Sequence, residues 1–260
     1  MRKRKCCCWK LNIEFHYTYL LMALGFVLGG YYLNLIVFTS LILVHEMGHY
    51  IMARVNGFDV LKIVIYPYGG MTKINSLINE DINKELLVAT SGIIFQYLFY
   101  IVIGILYSKG LIREYTYNLY TLYNSQIIFF NMLPIYPLDG AKVVNLVLQK
   151  YLYYNLSNML MILISLIILI ILIVLNIYEY NYSNLIIYMI LISYLYKFYK
   201  RRKYLYYKFL LERYLYSIKY PKIGIINNIY KMYKNKSHLI NIGNTYKKES
   251  EVISNLFSKK

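Results

Sequence analysis

An almost unbroken apolar run from Leu33 to Ala53 contains His45-Glu46-Met47-Gly48-His49, and no other feature limits the fold and chemistry of this chain as strongly. Ionisable groups inside an apolar stretch long enough to cross a bilayer cost a few kcal/mol each and mark functional sites. On a helix, residues four apart share a face, so His45 and His49 can offer two imidazole nitrogens to one Zn²⁺ at about 2.0–2.1 Å. Glu46 then sits beside the metal. A carboxylate there can take a proton from a water whose pKa zinc lowers to roughly 7. His-Glu-x-x-His is accordingly the pattern of a zinc hydrolase. Two histidines and a glutamate packed at this spacing by chance would gain nothing to offset the cost of their burial.

Composition agrees with a membrane setting. Of 260 residues, 59% are apolar and 18% aromatic, with a mean hydropathy of +0.42. No alternating strand pattern appears, so helices are the expected spanning form. The expected fold class is an all-α membrane protein: six transmembrane helices, a re-entrant β-like loop and a small C-terminal cytosolic tail. The formal charge of +17 raises nucleic acid as a partner. The Lys and Arg residues cluster beside apolar segments, however, where orientation in the membrane and anionic headgroups account for them, so no nucleic-acid partner is expected. Many of the 34 tyrosines fit interfacial belts. Cys6, Cys7 and Cys8 are consecutive beside a basic N-terminus and read as reduced cytosolic thiols.

Along the chain, Arg2, Lys3, Arg4, Lys5 and Lys10 precede a first apolar helix from about Phe15 to Gly30, read as a retained span rather than a cleaved signal. The second helix, about Leu33 to Val55, carries the motif and stops at Asn56-Gly57. Val60 to Ile65 is a β-branched run ending at Tyr66-Pro67-Tyr68-Gly69-Gly70, the signature of a hairpin or re-entrant loop. A third helix covers about Leu86 to Tyr107, with Gln96 as its one strongly polar interior residue, expected to bond to another helix. Tyr117 to Leu148 is too long for one straight span and breaks at residues 131–140, where Pro134, Pro137 and Gly140 enforce the interruption. Tyr154 to Asn176 and Leu185 to Tyr199 complete six helices. Residues 1–203 are thus expected to form the membrane domain and 204–260 a short cytosolic tail, either a partial or degenerate regulatory module. His238 in that tail is expected at the surface.

Asp139 lies in the break. A carboxylate at membrane depth needs compensation, and a zinc ion held by two histidines supplies it, making Asp139 the expected third ligand. An ion pair with Lys142, three residues on, is the competing role. Placing both termini in the cytosol gives that side both basic clusters with Arg54, Lys62, Lys73, Lys84 and Lys150, and leaves only Lys109 and Arg113 opposite.

His45-Glu46-x-Gly48-His49 followed by Asn131-x-x-Pro134-x-x-Pro137-Leu138-Asp139-Gly140 resembles the site-2 protease family of intramembrane zinc metalloproteases. The sporulation branch, the stage IV sporulation protein FB group, is most similar. It shares a Pro-x-Gly-Gly loop, here Pro67 to Gly70, and a Phe-Leu-Leu-Glu-Arg-Tyr segment, here Phe209 to Tyr214. The resemblance implies His45, His49 and Asp139 as zinc ligands, Glu46 as general base, and Asn131 and Pro137 as substrate-positioning residues. Gly69 and Gly70 of the loop are expected to share that task. It also implies a membrane-associated protein substrate, such as a sigma-factor precursor, inhibitory membrane proteins as partners, and a multi-pass location in a bacterial membrane, that surrounding the forespore. Ala141, where the branch often has a second Gly, and Ser91-Gly92-Ile93, where many relatives have Gly-Pro, depart from the pattern. The residues themselves leave two other readings: a zinc protease of another family anchored in the membrane, and an inactive metal-binding scaffold.

Overall fold

The computed structural model describes residues 11–178, 185–216, 218, 220–243 and 245–257. Cys6 to Cys8 and the N-terminal basic residues lie outside them. The chain is mostly helical and forms two compact units, one of residues 1–76 and 90–129, the other of residues 77–89 and 130–260.

The first unit opens with strand β1 (Ile13–Phe15) and helix α1 (Tyr17–Leu28), capped by the His16 side chain, whose Nδ1 faces the Thr18 hydroxyl at 2.8 Å. Helix α2 (Tyr32–Val55) follows, and Gly57 ends it in the left-handed region at φ +81°. The β-branched run then forms β2 (Asp59–Tyr66), which turns back into β3 (Gly69–Asn75). β1 pairs parallel to β2, and β2 antiparallel to β3, with Ile65 opposite Gly70. One face of this sheet buries Ile63 and Ile65, and Lys62 bonds Glu14 across β1 and β2 at 2.6 Å. Helices α3 (Ile82–Ser108) and α4 (Glu114–Met132) complete the unit from Thr90 to Phe129. Polar contacts tie α4 to α2: Asn34 donates to the Tyr123 hydroxyl at 3.0 Å, and the Ser40 and Tyr120 hydroxyls lie 3.1 Å apart.

In the second unit α5 (Asp139–Tyr151) starts directly after the break. The backbone groups freed there find partners on α6 (Tyr154–Tyr178): Tyr136 N–H donates to Ser165 Oγ, and that hydroxyl donates to Pro134 O, both at 3.2 Å. A Cβ on Gly140 would stand 2.7 Å from Leu133 O, so only glycine lets α5 start this close to the preceding turn. Helix α7 (Leu185–Tyr216) continues well past Tyr199 and through position 204. Strands β4 (Ile223–Ile226), β5 (Ser237–Ile242) and β6 (Thr245–Lys248) follow with helix α8 (Glu249–Phe257). Phe209, Leu210, Met232, Ile240 and Ile253 form their core, and Tyr154 stacks on Phe209 at 4.5 Å.

Several expectations change. The fold is mostly helical rather than all-α, because two three-stranded sheets are present. Strands of three to eight residues give too few positions for a period-two pattern to stand out. The first apolar stretch begins as a strand, and its helix of 12 residues rises only about 18 Å. Among the described residues, Tyr32–Val55, Ile82–Ser108 and Tyr154–Ile177 are long and apolar enough to cross about 30 Å of hydrocarbon. His238 is not at the surface; it is 2% exposed.

Candidate metal centre

His45, Glu46 and His49 are all buried on the inner face of α2. The two histidines point their Nε2 atoms at one place, 3.1 Å apart. Two nitrogens on a tetrahedral zinc at about 2.05 Å would be roughly 3.3 Å apart, so the pair has the spacing of ligands sharing one ion.

Three glycines create the room. Gly48 brings α3 against α2: a Cβ there would stand 2.7 Å from Ser91 O. Gly92 on α3 therefore faces the imidazoles, and a Cβ at that position would lie 2.6 Å from His45 Nε2 and nearer still to His49 Nε2. Gly70 on β3 lies against Glu46, where a Cβ would come within 2.7 Å of Oε1. Gly69 beside it holds φ +142°, a conformation L side chains rarely adopt. Glu46 is fixed by Thr72 of β3, whose hydroxyl donates to Oε2 at 2.6 Å.

Gln96 is fully buried, with its carboxamide oxygen 3.0 Å from His45 Nδ1 and its amide nitrogen donating to Asn124 Oδ1 of α4 at 3.1 Å. The expected bond from Gln96 to another helix is thus made twice. Asp139, also buried, opens α5 and accepts from Lys142 Nζ at 2.7 Å, so the ion pair posed as the alternative role exists. That pair does not exclude ligation, since a carboxylate has two oxygens and about four lone-pair sites. His45, His49 and Asp139 form the group among the described residues that could hold a metal ion, one ligand atom from each. The donor set of two imidazoles and one carboxylate suits zinc. Asn131 occupies the last turn of α4 and Pro137 the break, both half-buried in the second unit.

Sequence reasoning missed Thr72 and Asn124, and it took Gly92 only for a departure from the family pattern, whereas that glycine packs against both imidazoles. Gly92 and Gln96 are four apart on α3 and therefore share a face, a signal that was available. Thr72 and Asn124 had none, because their roles depend on tertiary approach.

Residues 33–113 match peptidase family M50. Stage IV sporulation protein FB of Bacillus subtilis is 30% identical over 207 residues, covering 78% of this chain and 72% of that protein. A zinc metalloprotease of Methanocaldococcus jannaschii is 28% identical over 162 residues, 58% of this chain and 46% of that protein. The solved site-2 protease structure from the same archaeon has the same fold, with a TM-score of 0.57 at 21% identity over 71% of this chain and 89% of that one. This buried helix-borne motif is that of a membrane metallopeptidase. The chain belongs to peptidase family M50, the site-2 proteases, as a zinc metalloprotease of that type.

Proposed function

We propose that the protein hydrolyses a peptide bond in a membrane-associated protein at a zinc ion held by His45, His49 and Asp139. The observation that carries the metal site is the convergence of the two Nε2 atoms at 3.1 Å beside Glu46. Zinc bound there would polarise the scissile carbonyl and acidify the attacking water. Glu46 takes the water's proton and passes it to the leaving amine. Thr72 occupies Oε2 and so directs that exchange to Oε1. A helical substrate hides its carbonyls and must first be extended. β3 lies at an edge of the sheet order β1-β2-β3, where an extended chain can add as a further strand. Gly69 and Gly70 keep the start of that edge free of side chains, and Asn131 and Pro137 position the substrate from the break.

In this reading residues 1–203 form the membrane domain with both termini cytosolic, and 204–260 a short cytosolic tail that is a degenerate or partial regulatory module. The hairpin enters the cytosolic side of the bilayer. A cytosolic protein attached through a short pro-segment, such as a sigma-factor precursor, reaches the site without crossing the membrane. Inhibitory membrane proteins restrain the enzyme in the membrane around the forespore. Co-expression with the organism's own precursor tests this: a shortened product is expected from wild type, and none from Glu46→Gln. An intact precursor beside zinc-loaded wild type would redirect the search to transmembrane substrates, and a purified protein lacking zinc would remove the site itself.

A further inference from the structure

Gln96 does more than satisfy a polar group inside a helix bundle. Its amide nitrogen lies 3.4 Å from the backbone oxygen of Asn124, which can only accept, as well as 3.1 Å from Asn124 Oδ1. The nitrogen end of the carboxamide therefore points to α4 and the oxygen end to His45. An amide oxygen cannot donate, so the 3.0 Å contact requires a proton on His45 Nδ1. That tautomer leaves the Nε2 lone pair directed at the place where His49 Nε2 also points. We propose that Gln96, held by Asn124, is a positioning residue of the metal centre, fixing the tautomer and ring orientation of His45 so that Nε2 is presented to the metal.

The inference rests on reading His45 as a ligand. A partner on the second nitrogen of a ligating histidine typically contributes 10- to 100-fold in metal affinity. Gln96 is 0% exposed, and a glutamine whose long side chain is ordered only for packing would be better replaced by leucine or methionine. The chain spends two buried amides, Gln96 and Asn124, on orienting one imidazole.

The test measures zinc affinity of the purified full-length protein in detergent, by competition with a chelator, together with the visible absorption of the cobalt-substituted form. Gln96→Leu should bind zinc about 10- to 100-fold more weakly and alter the cobalt spectrum. Gln96→Glu, which retains an acceptor for Nδ1–H, should restore affinity to within a few-fold of wild type. Asn124→Leu, which frees Gln96 without touching His45, should fall between them. Helical circular dichroism checks that each variant folds, and Asn124→Leu carries the test should Gln96→Leu fail. Wild-type affinity in the folded Leu variants would overturn the proposal. Equal weakening by Gln96→Leu and Gln96→Glu would do the same, because packing alone would then explain it. His45→Ala separates the two levels of argument. If it binds zinc like wild type, or if wild type binds none, the metal-site reading falls and this inference with it.

Discussion

Around His45 and around Arg213 the protein buries polar side chains in two different ways. Arg213 is sealed within its own unit. Its five N–H donors meet Asn79 Oδ1, the backbone oxygens of Tyr233, Lys234 and Lys236, and the Glu249 carboxylate. Asn79 and Glu212 extend the network, with Glu212 Oε2 accepting from the backbone N–H of Ile78 at 2.7 Å. Around His45 the outer atoms are tied down just as firmly, by Gln96 and Thr72, yet two imidazole nitrogens meet each other at 3.1 Å. A shared cation would engage both at once. A structural cluster closes on itself, whereas a metal centre fixes the backs of its ligands and aims their fronts at one point.

The largest expected effect comes at Glu46. Glu46→Gln should retain zinc and lose cleavage by a factor of about 10² to 10⁴ or more, since an amide cannot accept the water's proton. Near-normal cleavage by the zinc-loaded variant would remove Glu46 from the mechanism. Arg213→Met tests the other side. Removing the buried guanidinium takes the ion pair from Glu249 and the donors from the backbone oxygens of Tyr233 and Lys234, and should cost about 3–5 kcal/mol of local stability. Limited proteolysis should then cut residues 204–257 readily while zinc content stays at the wild-type level, and a loss of zinc in step with cutting would dissolve the contrast. Thr72→Val is smaller. Hydrogen bonds to charged groups contribute about 1.5–3 kcal/mol, so turnover should fall roughly 10- to 100-fold with zinc content unchanged. Wild-type turnover would remove Thr72 from the positioning of Glu46.

What the sequence disclosed follows from the range of the interactions. His45, His49 and Glu46 sit within one helical turn, so their spacing alone defines a shared face. The break before Asp139 was legible because two prolines and a glycine constrain the backbone locally. The Asn56-Gly57 stop and the turn after Tyr66 were legible for the same reason. Thr72 and Asn124 act across separate elements, and no local pattern marks them. The C-terminal sheet escaped notice because β4 and β6 have four residues each and its core borrows Tyr154 and Phe209 from long helices. His238 was misplaced because a lone histidine in a polar tail carries no record of the strand that buries it.

That histidine gives the smallest and most selective test of the α7 cluster. Tyr233 N–H donates to His238 Nε2 at 3.0 Å, so the folded state requires this nitrogen unprotonated. Nδ1 faces Glu249 Oε2 at 3.1 Å and supplies the remaining proton to it. Burial pushes the imidazole below its ordinary value of 6.5; Glu249 pulls it back, while Arg213 and Lys236 push it further down. The unfolded chain therefore binds the proton first as pH falls. Stability from this group is complete above about 6.5 and is lost progressively below it, toward the lower folded-state value. Protection of the amides of β4, β5 and α8 against hydrogen exchange, corrected for the intrinsic pH dependence of exchange, should thus fall as pH drops below about 6.5 in the wild type. His238→Gln can still accept from Tyr233 N–H but cannot titrate, and its exchange profile should lack that step. The same acid-induced loosening in both proteins would assign the transition to a group other than His238. The cluster around Arg213 would then hold His238 only as a neutral filler.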